Sequence, residues 1–322
     1  MNQQNCAVIL AAGEGKRMKS RLPKVLCQVL FKPMVDWVID AAAGTVADVC
    51  LVVGHGGEQV KAHTAGRCAT VEQKERLGTG HAVMQAADFL KAHAGGNTLV
   101  LCGDAPLMDA ASLAAALAFH ERAGNAATVV SAHLENPFGY GRIIRDQAGR
   151  LRAIVEEKDA NPEQRKVTEV NSGAYWFRTA DLLRALPRLQ NNNVQGEYYL
   201  TDAVSLLLAD GCLAGAYAAE NPDVVLGAND RAGLMQLNER ARMQIIRGLL
   251  ADGVDIPCAD GVLIGPDVTV GPDSVILPAT VLCGKTAIGS GCRVGPAVRL
   301  ENCRVADGAA VSCCDRANAT IA

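Results

Sequence analysis

No apolar run in these 322 residues reaches the roughly 20 needed to span a bilayer. A basic excess is missing too: Lys plus Arg total 31 against 34 for Asp plus Glu, a formal net charge of −3. That balance argues against a nucleic-acid binder, which shows a basic surplus or stripe. The start, Met-Asn-Gln-Gln-Asn-Cys, has no basic n-region and no signal-type cleavage site. The expectation is a cytoplasmic protein with no membrane and no nucleic-acid partner. Cysteine, by contrast, is plentiful at 12, yet none falls in a CxxC pair. Zinc knuckles need close pairs, and disulfide frameworks belong to short secreted chains. Cys50 precedes Leu-Val-Val and Cys102 follows Val-Leu, where a thiol behaves as a small hydrophobe. A hydrophobic content of 49% with 20% charge excludes a disordered chain. The length fits two domains.

Up to about residue 228, short apolar runs alternate with amphipathic stretches. Ala7-Val8-Ile9-Leu10, Val49-Cys50-Leu51-Val52-Val53 and Thr98-Leu99-Val100-Leu101 are apolar throughout, as buried strands of a parallel sheet are. Met34 to Ala43 and His81 to Leu90 have helical spacing, with Pro33 suited to the first turn of the former. The alternation predicts an α/β domain with a mostly parallel sheet and ligands beyond the carboxyl ends of its strands. Asp230 to Leu250 then reads as one long helix, with Leu234, Leu237, Ala241, Ile245 and Leu249 on one face.

After Gly261 the period changes. Ile264, Val270, Ile276, Leu282, Ile288, Val294 and Leu300 recur every six residues, and Val268, Ser274, Thr280, Thr286, Cys292 and Val298 follow each of the first six by four. That period fits neither a helix nor one long strand; it marks a β-solenoid, each hexad forming one side of a coil. Past Leu300 the pattern decays through Ala306, Ser312 and Asn318, with no obvious polar cap. An uncapped solenoid is either covered by a partner or a shortened version of a longer one. The expected division is 1–228, a linker helix 229–251 and a truncated repeat domain 252–322.

The first strand runs into Leu10-Ala11-Ala12-Gly13-Glu14-Gly15-Lys16-Arg17-Met18, followed by Pro23-Lys24. A Gly-rich turn after a buried strand lets backbone N–H groups approach phosphates. Met18 stands where a dinucleotide fingerprint has its third glycine, and there is no GxxxxGK[ST]. An ordinary tight turn would leave the two flanking cations, Arg17 and Lys24, without a purpose.

Leu10 to Met18 with Pro23-Lys24-Val25-Leu26 is similar to the signature of the sugar-phosphate nucleotidyltransferases. Further blocks follow in order: Gln73 with Leu77-Gly78-Thr79-Gly80-His81-Ala82, Gly139-Tyr140-Gly141-Arg142-Ile143 and Ile154-Val155-Glu156-Glu157-Lys158-Asp159. Then come Glu169-Val170-Asn171-Ser172-Gly173, Gly196-Glu197-Tyr198-Tyr199-Leu200-Thr201-Asp202 and Gly227-Ala228-Asn229-Asp230-Arg231. With hexapeptide repeats behind them, these resemble the bacterial N-acetylglucosamine-1-phosphate uridylyltransferases, the N-terminal part of the bifunctional GlmU family. The resemblance covers essentially the whole chain.

It implies a Rossmann-like, GT-A-like nucleotidyltransferase domain, a long connecting helix and a short left-handed parallel β-helix. It implies UTP and GlcNAc-1-phosphate as substrates, with UDP-GlcNAc and pyrophosphate as products, formed by Mg²⁺-assisted in-line attack on the α-phosphorus. The product is a precursor for peptidoglycan and lipopolysaccharide. Arg17 and Lys24 would be the catalytic cations, which suits a transfer that rests on positioning and charge neutralisation. Leu10, Ala11, Ala12 and Gly13, with Gly103, would line the nucleotide site. Asp104 and Asn229 would hold Mg²⁺, a cation that takes one or two protein oxygens; read locally, Asp104 is equally a helix N-cap. Gln73, Gly78 and Thr79 would read uracil, although on its own Gln73 reads as a surface glutamine. Gly141, Glu156 and Asn171 would hold the N-acetylhexosamine. Tyr199 and Thr201 either close the sugar pocket or pack at the start of the helix Tyr199 to Asp210. None of the six histidines is spaced for a metal or a triad.

Lys16 replaces the family's usual Thr, and Cys27 its usual His. The distal repeats that carry the family's acetyltransferase site are missing, so that activity is not expected, and a homotrimer through the β-helix would be weakened. Two other readings stand beside this one: another sugar-1-phosphate nucleotidyltransferase, and a catalytically silent sugar-nucleotide sensor.

Overall fold

A computed structural model describes residues 4–322. The three apolar runs form strands Cys6–Ala11, Asp48–Val53 and Asn97–Cys102. Cys6–Ala11 lies between the other two, parallel to both. Successive side chains alternate between two cores: Cys6, Val8, Cys50 and Val52 go to one face, and Ala7, Ile9, Leu51 and Val53 to the other. A strand buried on both faces has no polar position to offer, which is why these runs read as uninterrupted apolar sequence. Each Val, Leu or Ile so buried contributes about 1.5–3 kcal/mol relative to exposure.

The nine-stranded sheet runs, in order, Ala214–Ala218, Ala127–His133, Glu169–Arg178, Asn97–Cys102, Cys6–Ala11, Asp48–Val53 and Ala69–Glu72, with Arg142–Arg145 and Leu151–Val155 added at one side. Glu169–Arg178 is antiparallel to Asn97–Cys102, Ala127–His133 and Arg142–Arg145, and carries the fully buried Trp176 and Phe177. Among the described residues all twelve cysteines are free; Cys6 and Cys50 pack in the core. Burial pushes their thiols up to about 11 and about 12.

Helix Met34–Ala43 forms over the range its spacing predicts. Pro33 does not enter its first turn; it sits in the two-residue strand Lys32–Pro33, paired with Gln28–Val29. The helix expected over His81 to Leu90 starts earlier and breaks: Thr79–Gln85 and Ala87–Ala92 meet at the fully buried Ala86. The helix expected from Tyr199 is Thr201–Ala209.

Contacts group the described residues into two compact units: those up to Cys27 with Met34–Arg231, and Gln28–Pro33 with Ala232–Ala322. Helix Arg231–Ala251, which belongs to the second unit from Ala232 on, buries Leu234, Leu237, Ala241 and Ile246. Asn238 of that helix accepts from the Leu30 N–H at 2.9 Å, and Lys32 pairs with Asp267 at 2.7 Å.

The rest of this unit is a short β-helix of stacked parallel strands. Residues 18 apart pair: Ile264 with Leu282, Val270 with Ile288, Ile276 with Val294. The small polar positions are wholly buried, and main-chain carbonyls take their hydroxyls: Ser274 to Gly289 at 2.8 Å, Thr280 to Leu277 at 2.7 Å, Thr286 to Cys283 at 2.7 Å. Without those bonds each would cost about 1–3 kcal/mol.

The inward pattern does not decay directly after Leu300 but continues for two more positions. One residue is lost between Leu300 and the next inward position, so Val305 and Val311, not Ala306 and Ser312, stack on Ile288 and Val294. A second loss shortens the following coil, pairing Leu300 with Arg316 and Val305 with Ile321. A strict six-residue count misses this because each coil needs stacking, not constant length. Arg316 is exposed at a register position that Leu282 and Leu300 fill with buried leucine.

Candidate active site

The carboxyl end of strand Cys6–Ala11 opens into a cavity of about 640 Å³. Its wall includes Leu10, Ala11, Ala12, Gly13, Lys16, Arg17, Lys24, Gln73, Gly78, Thr79, Asp104 and Asn229. The turn is fastened from a distant part of the chain: the Arg231 guanidinium donates to the Met18 carbonyl at 3.0 Å. Arg17 is exposed at the rim, and Lys16 pairs with Glu14 at 3.1 Å. Arg76, 3.7 Å from Glu14, completes this rim and carries no signal in the sequence that would single it out.

Lys24 is the centre of the charged group. Its ammonium forms an ion pair with Asp104 and donates to Asn229 Oδ1 at 3.1 Å. Asp104 is therefore not a helix N-cap; Asp109 caps the next helix, accepting from the Ser112 N–H at 2.7 Å. Two hard oxygens, one carboxylate and one amide, face the same cation. That donor set suits Mg²⁺, which completes its shell with phosphate and water rather than with protein. Among the described residues no group of three or more His, Cys, Asp and Glu could hold a metal by itself.

Gln73 is only 5% exposed, not the surface residue its type suggests. Its amide orientation follows from its partners: a carbonyl only accepts, so the atom 3.1 Å from the Gly78 oxygen is Nε2, which also lies 3.0 Å from His81 Nδ1. The remaining atom, Oε1, is an acceptor. Gly78 holds φ +110°, and a Cβ there would come within 2.6 Å of the Tyr198 carbonyl, so only glycine fits.

A second cavity, about 220 Å³, adjoins the first and shares Leu10, Thr79 and Cys102 with it. It is lined further by Gly141, Glu156, Asn171, Tyr175 and Thr201. Thr201 donates to Glu156 at 3.4 Å. Burial outweighs that bond and raises the Glu156 carboxyl above its ordinary value, with Asp159, Asp202 and Glu197 adding to the effect. Arg142, wholly buried, fixes the Gly139–Gly141 turn: it donates to the Tyr140 carbonyl and pairs with Glu157 at 2.8 Å, while Glu157 accepts from the Gly139 N–H at 3.1 Å.

Two sequence candidates stand outside both walls. Gly103 lies between Cys102 and Asp104 and donates its N–H to the Leu10 carbonyl at 2.9 Å, tying two strand ends together. Tyr199 is buried, and its hydroxyl accepts from Gln195 at 2.6 Å, so it braces the 190–197 loop; of the pair, only Thr201 lines the cavity. Cys102 and Tyr175 are wall residues that sequence reading left out, because both sit in apolar runs that look like core. Burial, with Asp104 nearby, pushes the Cys102 thiol up to about 12, so it is no nucleophile at neutral pH.

Comparison with known proteins shows the family. Residues 6–224 match the nucleotidyl transferase family. The chain is 45% identical to the bifunctional protein GlmU of Pelobacter propionicus over 310 residues, covering 94% of this chain and 66% of that protein. It is 44% identical to GlmU of Geobacillus thermodenitrificans, over 93% of this chain and 65% of that one. For Halalkalibacterium halodurans GlmU the identity is 42%, over 95% and 67%. The chain thus spans about two thirds of the length of these relatives. With the family matched over most of its length and its motifs gathered around one pair of cavities, the chain belongs to the nucleotidyl transferases.

Proposed function

We propose that the chain transfers the uridylyl group of UTP to N-acetylglucosamine-1-phosphate, giving UDP-N-acetylglucosamine and pyrophosphate. The observation that carries this reading is the pair of adjoining cavities with a shared wall: one has cations, two metal-type oxygens and a fixed amide acceptor, the other a carboxylate and an amide. A nucleotide and a sugar phosphate held side by side react as if at very high concentration.

Gln73 Oε1 would accept from uracil N3–H. Glu156 would accept from sugar hydroxyls, with Asn171, Gly141 and Thr201 around the hexosamine. An oxygen of the sugar phosphate attacks the α-phosphorus; the bond from that phosphorus to the β-bridging oxygen breaks, and pyrophosphate leaves with the electron pair. Arg17 and Lys24 neutralise the triphosphate, Lys24 nearer the reacting phosphorus. Asp104 and Asn229 would hold Mg²⁺, which supplies further neutralisation of phosphate charge when bound. No side chain needs to accept a proton, because the attacking phosphate oxygen is already ionised at neutral pH.

The test crosses UTP, CTP, ATP and GTP against GlcNAc-1-phosphate, glucose-1-phosphate and mannose-1-phosphate, with pyrophosphate release as the readout. Release centred on UTP with GlcNAc-1-phosphate is expected. A different favoured pair overturns the base and sugar assignments, and silence from a folded sample overturns the reaction.

A further inference from the structure

Asn171 and Tyr175 lie four positions apart on strand Glu169–Arg178. On a regular strand that is about 13 Å, far beyond hydrogen-bonding reach. Here the strand bulges: Asn171 pairs with Ser131 but Tyr175 with Val129, so four steps on this strand match two on its neighbour. Gly173, at φ +78°, turns the bulge, and Asn171 Nδ2 comes to 2.6 Å from the Tyr175 hydroxyl. Bulges of this kind re-aim side chains beside active sites.

The direction of that hydrogen bond is fixed by chemistry. The Gly173 N–H, 2.9 Å from the Asn171 amide, only donates, so the amide atom facing it is Oδ1. The atom facing Tyr175 is then Nδ2, which only donates, and the phenolic oxygen accepts. Asn171 is the hydroxyl's hydrogen-bond partner among the described residues, so its own proton is left for the cavity that Tyr175 lines. Tyr175 is 4% exposed, and burial together with the Glu156 charge holds the phenol well above its usual value. The proton stays on, and a buried donor of this kind needs an acceptor.

We propose that Tyr175 donates a hydrogen bond to the acetamido carbonyl oxygen of the bound hexosamine phosphate, and so selects N-acetylated over plain hexose phosphates. The assignment rests on the hexosamine reading of this cavity. Complementarity singles out the carbonyl: Glu156 only accepts and suits sugar hydroxyls, whereas an amide carbonyl only accepts and requires a donor. Asn171 Oδ1 keeps a second lone pair for the acetamido N–H. The thiol of Cys102 offers only a weak donor on the same wall.

The test is Tyr175→Phe, which removes the hydroxyl and keeps the ring. The ratio of kcat/KM for GlcNAc-1-phosphate to that for glucose-1-phosphate falls about tenfold, as for loss of one hydrogen bond, while KM for UTP stays as in wild type. A ratio within twofold of wild type overturns the proposal. A second measurement avoids mutation. The N-trifluoroacetyl analogue, a weaker acceptor of similar shape, loses kcat/KM relative to the natural sugar in wild type, and equal use of the two overturns the assignment. Wild-type enzyme that uses neither GlcNAc-1-phosphate nor glucose-1-phosphate with UTP defeats the proposed function itself, a result distinct from either of these.

Discussion

Asp104→Ala should separate chemistry from stability. The Lys24 side chain is 12% exposed and that of Asp104 29%, so water partly screens their ion pair. Losing a partly exposed pair costs about 1 kcal/mol, and Lys24 keeps its bond to Asn229. For a unit of roughly 200 residues, that lowers the thermal midpoint by about 2–4 °C. The reaction loses more. Removing one group that stabilises developing charge typically costs about 10²–10³ in kcat, and here the lost carboxylate also takes away one of the two oxygens that hold Lys24. The assay is pyrophosphate release at saturating UTP and GlcNAc-1-phosphate over a Mg²⁺ titration, beside a melting curve. Asp104→Asn, which keeps an oxygen but not the charge, should fall between. Activity within tenfold of wild type at every Mg²⁺ concentration, from a folded Asp104→Ala sample, would refute the reasoning.

Glu156→Gln should stabilise the fold and impair the enzyme. The folded carboxyl is raised, so the folded state binds its proton more tightly than the unfolded one. That contribution to stability is fully present below the unfolded value and is lost as pH rises through the folded one; at neutral pH the ionised group is a cost. The neutral variant should melt higher at pH 7 but not at pH 3, with KM for the sugar phosphate raised; equal melting shifts at both pH values would show the sign to be wrong. Gln73→Leu removes the fixed acceptor, so kcat/KM for UTP should drop about tenfold while KM for GlcNAc-1-phosphate holds; an unchanged preference for UTP over CTP counts against base reading. Gly173→Ala puts a Cβ 2.8 Å from Cys102 Sγ at φ +78°. The left-handed backbone alone costs about 1–2 kcal/mol, and adding Cys102→Ala should recover only the contact part, as denaturant melts of the single and double variants would reveal.

Much of the fold was legible because it depends on local pattern. A strand buried on both faces must be apolar throughout, and Val8, Val52 and Val100 with their neighbours are. A solenoid side must return an aliphatic every coil, and Ile264 to Leu300 do. The Gly-rich turn and its flanking cations Arg17 and Lys24 were legible for the same reason: they lie close together along the chain, and they line one cavity. What sequence could not determine are quantities set by many contacts at once. The helix breaks at Ala86 although nothing in the local composition marks that position. The loss of one residue after Leu300 moves the inward position to Val305, since stacking on Ile288 outweighs the count. Lys24 reaches Asn229 across 205 residues only because the chain returns to the same cavity. Asn171 meets Tyr175 only because a bulge shortens the path between them. Spacing along the chain records the periodic part of the folding free energy; where side chains converge depends on register and bulges, which the packing of the whole unit decides.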